Sequence, residues 1–142
     1  MSEENQADVH IGVHQIYLKD CSFEAPNTPE VFFDQGEHNF DIKHEISSRE
    51  VQDKLHEVVL TITLTGRVGD KTAWIVEVHQ AGIFEIEGVS DEEKAQVLKV
   101  FCPTQLFPYL RECVTTLTAK SGFPPMVLPF ISFDQLENQA PQ

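Results

Sequence analysis

Basic residues are scarce in this sequence, whose 142 residues include 10 Lys and Arg against 23 Asp and Glu, for a formal net charge of -13. A chain with this charge repels nucleic-acid phosphates and anionic lipid head groups, so we expect neither nucleic acid nor an anionic membrane surface as a partner. Partners with basic surfaces are one interpretation of the charge. Solubility alone is the other.

Long hydrophobic runs and paired cysteines are also missing. No stretch of about 18 apolar residues is available to cross a membrane, and the acidic start MSEEN lacks the basic residues that open a signal peptide. The three cysteines, Cys21, Cys102 and Cys113, are odd in number and widely spaced, which is typical of reduced thiols. We therefore expect a cytoplasmic protein that does not insert into a membrane.

Motifs of catalysis and metal binding are absent as well. The sequence has no Cys-x-x-Cys, no G-x-S-x-G and no phosphate-binding glycine loop. His10 and His14 share one face of a predicted strand, but about 13 Å separates their positions, too far for joint ligation of one ion. We expect no catalytic residue, no metal and no cofactor. The alternative, a thiol or metal enzyme, would need Cys102 or Cys113 beside a histidine.

The most regular pattern in the chain is the stretch from Thr72 to Glu87, TAWIVEVHQAGIFEIE, which alternates apolar residues at period two. It predicts one long strand, with a bulge at Gly82. The other face of this strand mixes isoleucines with glutamates and a histidine. Such a mixed surface suits docking to another protein.

Three further strands are predicted from the same kind of alternation. The first is interrupted near Gln15, where the apolar phase changes and a bulge would reconcile its two halves. Ser47 to Asp53 reads as a polar connection, and Gly69-Asp70 as the turn into the long strand. The three strands are Val9 to Lys19, His38 to Ile46 and Leu55 to Thr65.

Helical patterns follow Gly88. Ser90 and Glu93 form a capping box that starts a helix, which Pro103 should interrupt. A second helical pattern begins at Gln105 and ends near Gly122, with a bend or restart at Pro108. A last short helix is expected over Asp134 to Glu137.

Strands followed by helices predict an α+β fold, a four-stranded antiparallel sheet with helices packed on one side. The other side of the sheet is left to water or to a second subunit. We expect one domain, 1–142, with flexible ends at 1–8 and 138–142.

Six of the ten phenylalanines fall in irregular, proline-containing stretches. They could line a groove between the loop after the first strand and the C-terminal end, where an extended apolar peptide would bind. The alternative is a carrier that encloses a small apolar ligand. The six are Phe23, Phe32, Phe33, Phe123, Phe130 and Phe133.

Four segments of the sequence resemble those of the SecB family of bacterial protein-export chaperones: YLKDCSFEAPN at 17–27, EVHQAGIF at 77–84, CPTQLFPYLRE at 102–112 and GFPP at 122–125. The resemblance implies a homotetramer, a dimer of dimers, that binds unfolded secretory precursor proteins and keeps them competent for translocation. It implies delivery of these clients to the SecA ATPase for export across the cytoplasmic membrane, and no catalysis.

The resemblance also assigns residues to three roles. It implies that SecA docks on Asp20, Glu24, Ile75 and Glu77, and that Val76, Val78 and Gln80 belong to the oligomer interface. It makes five residues candidate walls of the client-peptide groove: Phe23, Phe32, Phe123, Phe133 and Leu136.

Overall fold

The protein folds into a four-stranded antiparallel sheet with helices on one face. The structure is a computed structural model, and it describes residues 9–139. The α+β fold predicted from the sequence is confirmed. The strands are β1 (His10–Glu24), β2 (His38–Gln52), β3 (Leu55–Val68) and β4 (Lys71–Glu87), and a short 3-10 helix spans Glu30–Phe33. The helices are α1 (Asp91–Gln96), a π-helical turn (Val97–Phe101), α2 (Cys102–Ala119) and α3 (Phe133–Gln139).

The long predicted strand lies in the middle of the sheet. The strand order is β1-β4-β3-β2, so that β4 pairs with β1 on one side and with β3 on the other. Alternate residues of a strand point to opposite faces, and the 17 residues of β4 therefore contribute to both faces over the full length of the sheet.

β1 has two bulges, and β4 has one beside Ala73 but none at Gly82. The register between β1 and β4 shifts between Val13 and Gln15, as the sequence predicts, and again between Leu18 and Asp20. The predicted bulge at Gly82 is wrong, because that residue pairs regularly with both neighbouring strands. A Cβ atom at Gly82 would lie 2.9 Å from the Phe84 ring, so glycine here serves close packing and not a bulge.

Two strands extend further than their side-chain patterns predict. β1 continues to Glu24, and β2 continues through the polar stretch that was expected to connect it to β3. Pairing explains both extensions, since each strand has a long partner whose backbone groups satisfy its own. The turn between β2 and β3 is confined to two residues and has Lys54 at φ 68.

The core lies between α2 and one face of the sheet, which we call the helical face. It contains every second residue of β3 and β4, and the apolar stripe of α2 packs on it. The central residues of this core are fully buried: Leu60, Ile62, Leu64, Val76, Val78, Leu106, Leu110 and Val114.

The helical region begins with the predicted capping box, in which Ser90 Oγ accepts from the Glu93 amide at 3.1 Å. Pro103 does not interrupt the helices but lies in the first turn of α2, directly after the π-helical turn. α2 therefore begins three residues earlier than predicted, and it continues through Pro108. No helix in the described part of the chain is long and apolar enough to cross a membrane.

The last predicted helix is present, since α3 includes Asp134 to Glu137. The predicted flexible ends, 1–8 and 138–142, lie outside the described residues, apart from the backbone of 138–139, which is helical.

The second face of the sheet, which we call the open face, is not covered by a helix. It carries one carboxylate that joins three strands, Glu57, whose side chain is only 7% exposed. Glu57 accepts a hydrogen bond from the Tyr17 hydroxyl at 2.5 Å, from Lys19 Nζ at 2.9 Å and from Arg49 Nε at 3.2 Å. The hydrogen bond from Tyr17, followed by those from Lys19, lowers the pKa of Glu57. Burial and the same hydrogen bond raise the pKa of Tyr17 to about 12.

We expect Glu57→Gln to lower the free energy of unfolding by about 2 kcal/mol at pH 7, because charge-assisted hydrogen bonds are lost. A carboxylate whose pKa is lowered by folding stabilises the protein above its unfolded pKa, near 4.3, and loses that contribution as the pH falls through its folded pKa. The difference between wild type and variant should therefore shrink as the pH falls from about 5 to 3. Urea unfolding across this range measures it, with the exposed Glu45→Gln as the control. A difference that stays constant with pH would contradict this account.

Candidate functional site

An aromatic stack connects two loops at one end of the helical face. The ring of Phe32, from the 3-10 helix after β1, stacks on that of Phe123, from the loop after α2, with centroids 4.9 Å apart. His38 meets Phe123 edge-on at 5.8 Å. The preceding residue, Gly122, has φ 89, and a Cβ there would lie 2.8 Å from the Phe32 ring, so a side chain at this position would displace the stack.

A cavity of 240 Å³ opens beside this stack. Strands β2, β3 and β4 form one side of it, and the loop that follows α2 forms the other. β2 is an edge strand of the sheet, and its apolar residues Phe40 and Ile42 are 44% and 41% exposed. Apolar walls beside an open strand edge are suited to an extended peptide. The apolar lining residues are Phe40, Val68, Ala73, Trp74, Phe123, Pro124, Pro125 and Met126.

The structure brings only part of the predicted client-peptide groove together. Phe32 and Phe123 are in contact, and Phe23 is half-buried against the core. Phe133 is 2% exposed and packs edge-on against Phe107 at 6.0 Å, because α3 docks onto α2. Leu136 also packs on the core. In the described structure neither Phe133 nor Leu136 lines the cavity.

Three aromatic or sulfur-containing residues of the cavity were not singled out from the sequence as groove walls. The sequence identifies Phe40 and Trp74 only as apolar positions of strands, and Met126 lies in a proline-rich stretch. Their strand phase does place Phe40 and Trp74 on the helical face. The sequence does not indicate that the loop after α2 lies at the same end of the sheet as Phe40 and Trp74. Because the loop lies there, both residues line one cavity with it.

A second surface is formed by β1 and β4 on the open face. The cross-strand pairs are Glu24 with Ile75, Ser22 with Glu77 and Asp20 with His79. The four predicted SecA-docking residues therefore lie on adjacent strands and on one face. We call this group, Asp20, Glu24, Ile75 and Glu77, the acidic patch.

The bulge at Lys19 is what gives the acidic patch its acidic residues from β1. Leu18 pairs with Gln80 on the helical face, and without an extra residue Asp20 would follow it onto that face. The extra residue reverses the phase, so that Cys21 lies on the helical side of the sheet and Asp20 on the open side. It also turns Lys19 onto the open face, where its ammonium group reaches Glu57.

Glu77 is held in place by neighbouring side chains. The Thr63 hydroxyl donates to its Oε1 at 3.3 Å, and Nε2 of His79 lies 2.5 Å from its Oε2. His79 is held in turn by Thr61, whose hydroxyl is 3.0 Å from Nδ1. These four side chains form one row of hydrogen bonds across β3 and β4.

The residues predicted for the oligomer interface are buried within this chain. Val76 and Val78 are 0% exposed under α2, and Gln80, 5% exposed, donates from Nε2 to the Tyr17 carbonyl at 3.0 Å. They face the helical side of β4, where Gln80 also lines a cleft between β1 and α2. Apolar surface is exposed instead at the edge strand β1 and on α2, where Leu18 and Tyr109 are 48% and 52% exposed beside a cleft of 450 Å³.

Neither the cysteines nor the histidines of the described residues form a reactive centre. Burial raises the pKa of Cys102 to about 12 and is the main reason why that of Cys113 rises to about 11, so both thiols are protonated at neutral pH. No cluster of His, Cys, Asp or Glu between residues 9 and 139 is arranged to hold a metal ion. The imidazoles of His10 and His14 converge on one carboxylate oxygen, Glu85 Oε1, at 3.4 and 2.9 Å.

A larger cleft, 520 Å³, lies at the other end of the sheet, beside the turn between β2 and β3. Its walls are mostly charged, and two of its residues, Lys54 and Glu87, form an ion pair at 2.8 Å. It lacks aromatic side chains other than histidine. The smaller cavity beside Phe123 is therefore the better candidate for binding apolar peptide.

Comparison with known proteins shows the family to which the chain belongs. The family model described as preprotein translocase subunit SecB matches residues 3–142. The protein-export protein SecB of Nitrosococcus oceani is 41% identical over 143 residues, which cover 99% of this chain and 87% of that protein. A SecB-like chaperone of Mycobacterium tuberculosis, solved with a ChAD peptide from the HigA1 antitoxin, has the same fold, with a TM-score of 0.70 at 18% identity over 89% of this chain and 93% of that chain. Because the first two matches extend over nearly the whole sequence, the chain belongs to the SecB family.

Proposed function

We propose that this protein, a non-enzymatic protein-export chaperone by its family, binds unfolded precursor proteins at the aromatic cavity and delivers them to SecA from its acidic patch. The observation that carries this proposal is the separation of the two surfaces. The cavity beside Phe123 opens on the helical side of the sheet, and Asp20, Glu24, Ile75 and Glu77 lie on the open face.

Client binding would combine two kinds of contact. The rings of Trp74 and Phe123 offer apolar surface without a fixed side-chain order, and the free edge of β2 offers backbone hydrogen bonds to an extended segment. A folded protein has few free backbone groups and little exposed apolar surface, so it would bind poorly. Each cavity is small, and tight binding would therefore require one client chain to contact several subunits.

SecA docking would depend on charge. The acidic patch has three carboxylates and one half-buried isoleucine, a composition that fits a flat partner surface with basic rim residues. With a net charge of -13, the whole chain would also accelerate the approach of a basic surface.

Assembly as a dimer of dimers in the cytoplasm forms part of the same proposal. The exposed apolar residues at the edge of β1 and on α2, such as Leu18 and Tyr109, are candidates for the contacts between subunits. Val76, Val78 and Gln80 would then influence assembly only indirectly, by holding β1 and α2 in position from beneath.

Light scattering tests the assembly and the client specificity together. We expect a mass near four times 16.1 kDa for the purified protein, and a larger soluble complex with an unfolded, slow-folding precursor. The folded form of the same precursor should leave the mass unchanged, because it offers no extended segment. A monomer that ignores both forms would contradict the proposal and favour a carrier of small apolar ligands.

Phe123→Ala tests the cavity. We expect it to weaken binding of an unfolded precursor about fivefold to tenfold, because the variant loses one ring of the stack and part of the apolar wall. Phe33→Ala is the matched control, since Phe33 is 79% exposed next to Phe32 but does not line the cavity. Titration calorimetry with the unfolded chain measures both affinities, and equal losses in the two variants would show that the cavity has no special role.

Glu77→Lys tests the division between the two surfaces. We expect SecA binding to weaken about tenfold, because a like charge then meets the basic partner, while client affinity stays at the wild-type value. Glu92→Lys, at an exposed position of α1, makes the same change in net charge away from the acidic patch. Surface plasmon resonance with SecA and with an unfolded client measures the two affinities. Parallel loss of both would disprove this division.

A further inference from the structure

One side chain of the acidic patch, Glu77, depends on its neighbours for its orientation. Both of its carboxylate oxygens are engaged, Oε1 by the Thr63 hydroxyl at 3.3 Å and Oε2 by His79 Nε2 at 2.5 Å. The side chain is nevertheless 43% exposed, so it can still meet a partner. The row of hydrogen bonds thus orients the Glu77 carboxylate without burying it.

The contacts of His79 select one neutral tautomer. A carboxylate is only an acceptor, so Nε2 carries the proton and donates it to Glu77. Nδ1 then accepts from the Thr61 hydroxyl at 3.0 Å. In this state His79 adds no charge to the patch but holds the Glu77 carboxylate towards solvent.

We propose that His79 is a positioning residue for the acidic patch, and that its protonation weakens the docking of a basic partner by pairing the Glu77 charge. The inference rests on the proposed docking of SecA at this patch. Below the range in which imidazoles titrate, an imidazolium group would lie in hydrogen-bond contact with Glu77 and cancel its charge. One unit of negative charge would thus be lost where the basic partner binds.

The surroundings of His79 are charged on both sides. On β1, Asp20 lies opposite His79, while the ammonium group of the neighbouring Lys19 is bound to Glu57. On β2, Glu45 lies opposite Thr61, and Lys43 opposite Thr63. His79 also borders a small cleft of 270 Å³ that it shares with Lys19, Glu45 and Thr61. Solvent can therefore exchange protons with the imidazole, whose side chain is 29% exposed.

The test is the affinity for purified SecA at low ionic strength between pH 8 and about pH 5.5, where screening is small and imidazoles titrate. Three proteins are compared: wild type, His79→Gln and His79→Leu. The glutamine amide can donate to Glu77 but cannot be protonated in this range, and the leucine does neither.

At pH 8 we expect wild type and His79→Gln to bind alike and His79→Leu to bind about threefold more weakly, because Glu77 is no longer held. At pH 5.5 we expect wild type to lose a further threefold to tenfold relative to His79→Gln. Comparison at each pH cancels the titration of SecA itself. In a Glu77→Gln background the three residues at position 79 should give the same affinity at pH 8, since the carboxylate that His79 positions is gone.

Two outcomes separate this inference from the proposed function. If Glu77→Lys leaves SecA binding unchanged, the proposed docking of SecA at the acidic patch is wrong. If Glu77→Lys weakens SecA binding but the affinities of wild type and His79→Gln depend on pH in the same way, docking at the acidic patch is supported. The role of His79 is then overturned. Affinity for an unfolded client, measured for each variant, should not change, and a parallel loss there would identify misfolding as the cause and overturn the positioning role.

Discussion

The sheet depends on one constraint, which is that β4 lies between two paired neighbours from Ile75 to Glu85. Pairing on both sides fixes the register of β4, and the pleat then sends its even residues to the helical face and its odd residues to the open face. Val76 and Val78 go under α2 for this reason, while Ile75 and Glu77 remain available on the other side. A shift by one residue would exchange the core for the acidic patch, so the fold and the acidic patch cannot vary independently.

The bulge at Lys19 in β1 brings Asp20 to the open face, beside the acidic residue of β4. β1 has its own apolar alternation, and continued without interruption it would place Asp20 under the helices. The extra residue at Lys19 reverses the phase, and the ion pair between Lys19 and the buried carboxylate of Glu57 holds that residue on the open face. Bulges of this kind redirect side chains at the cost of one unpaired residue. The stabilising network around Glu57 and the acidic patch are therefore consequences of the same bulge.

The sequence predicts the elements of this structure better than their contacts. The alternation of β4, the bulge near Gln15 and the capping box at Ser90 depend on neighbouring residues alone, and all three are confirmed. The polar stretch after Ile46 was expected to be a connection because its own preference for a strand is weak, and pairing with β3 outweighs that preference. Burial depends on the whole fold, so the sequence could not reveal that Phe133 packs against Phe107 of α2 or that Phe40 and Trp74 meet the loop after α2. The resemblance named the acidic residues, but only the register shows them on one face.

Two neighbouring residues, Trp74 and Ile75, limit how the surfaces can influence each other. The first lines the cavity on the helical side, and the second belongs to the acidic patch on the open side. A bound client and a docked partner would therefore be separated by the thickness of one strand without competing for the same atoms. The strand between them is paired on both sides and has no second arrangement available within the sheet, so it offers no two-state element to carry a signal. Under the proposed function, transfer of a client would then have to come from competition for the client itself, by a partner whose own binding site is brought close when it docks. The acidic patch would raise the local concentration of that site, and the weakness of each single cavity contact would let the client leave segment by segment.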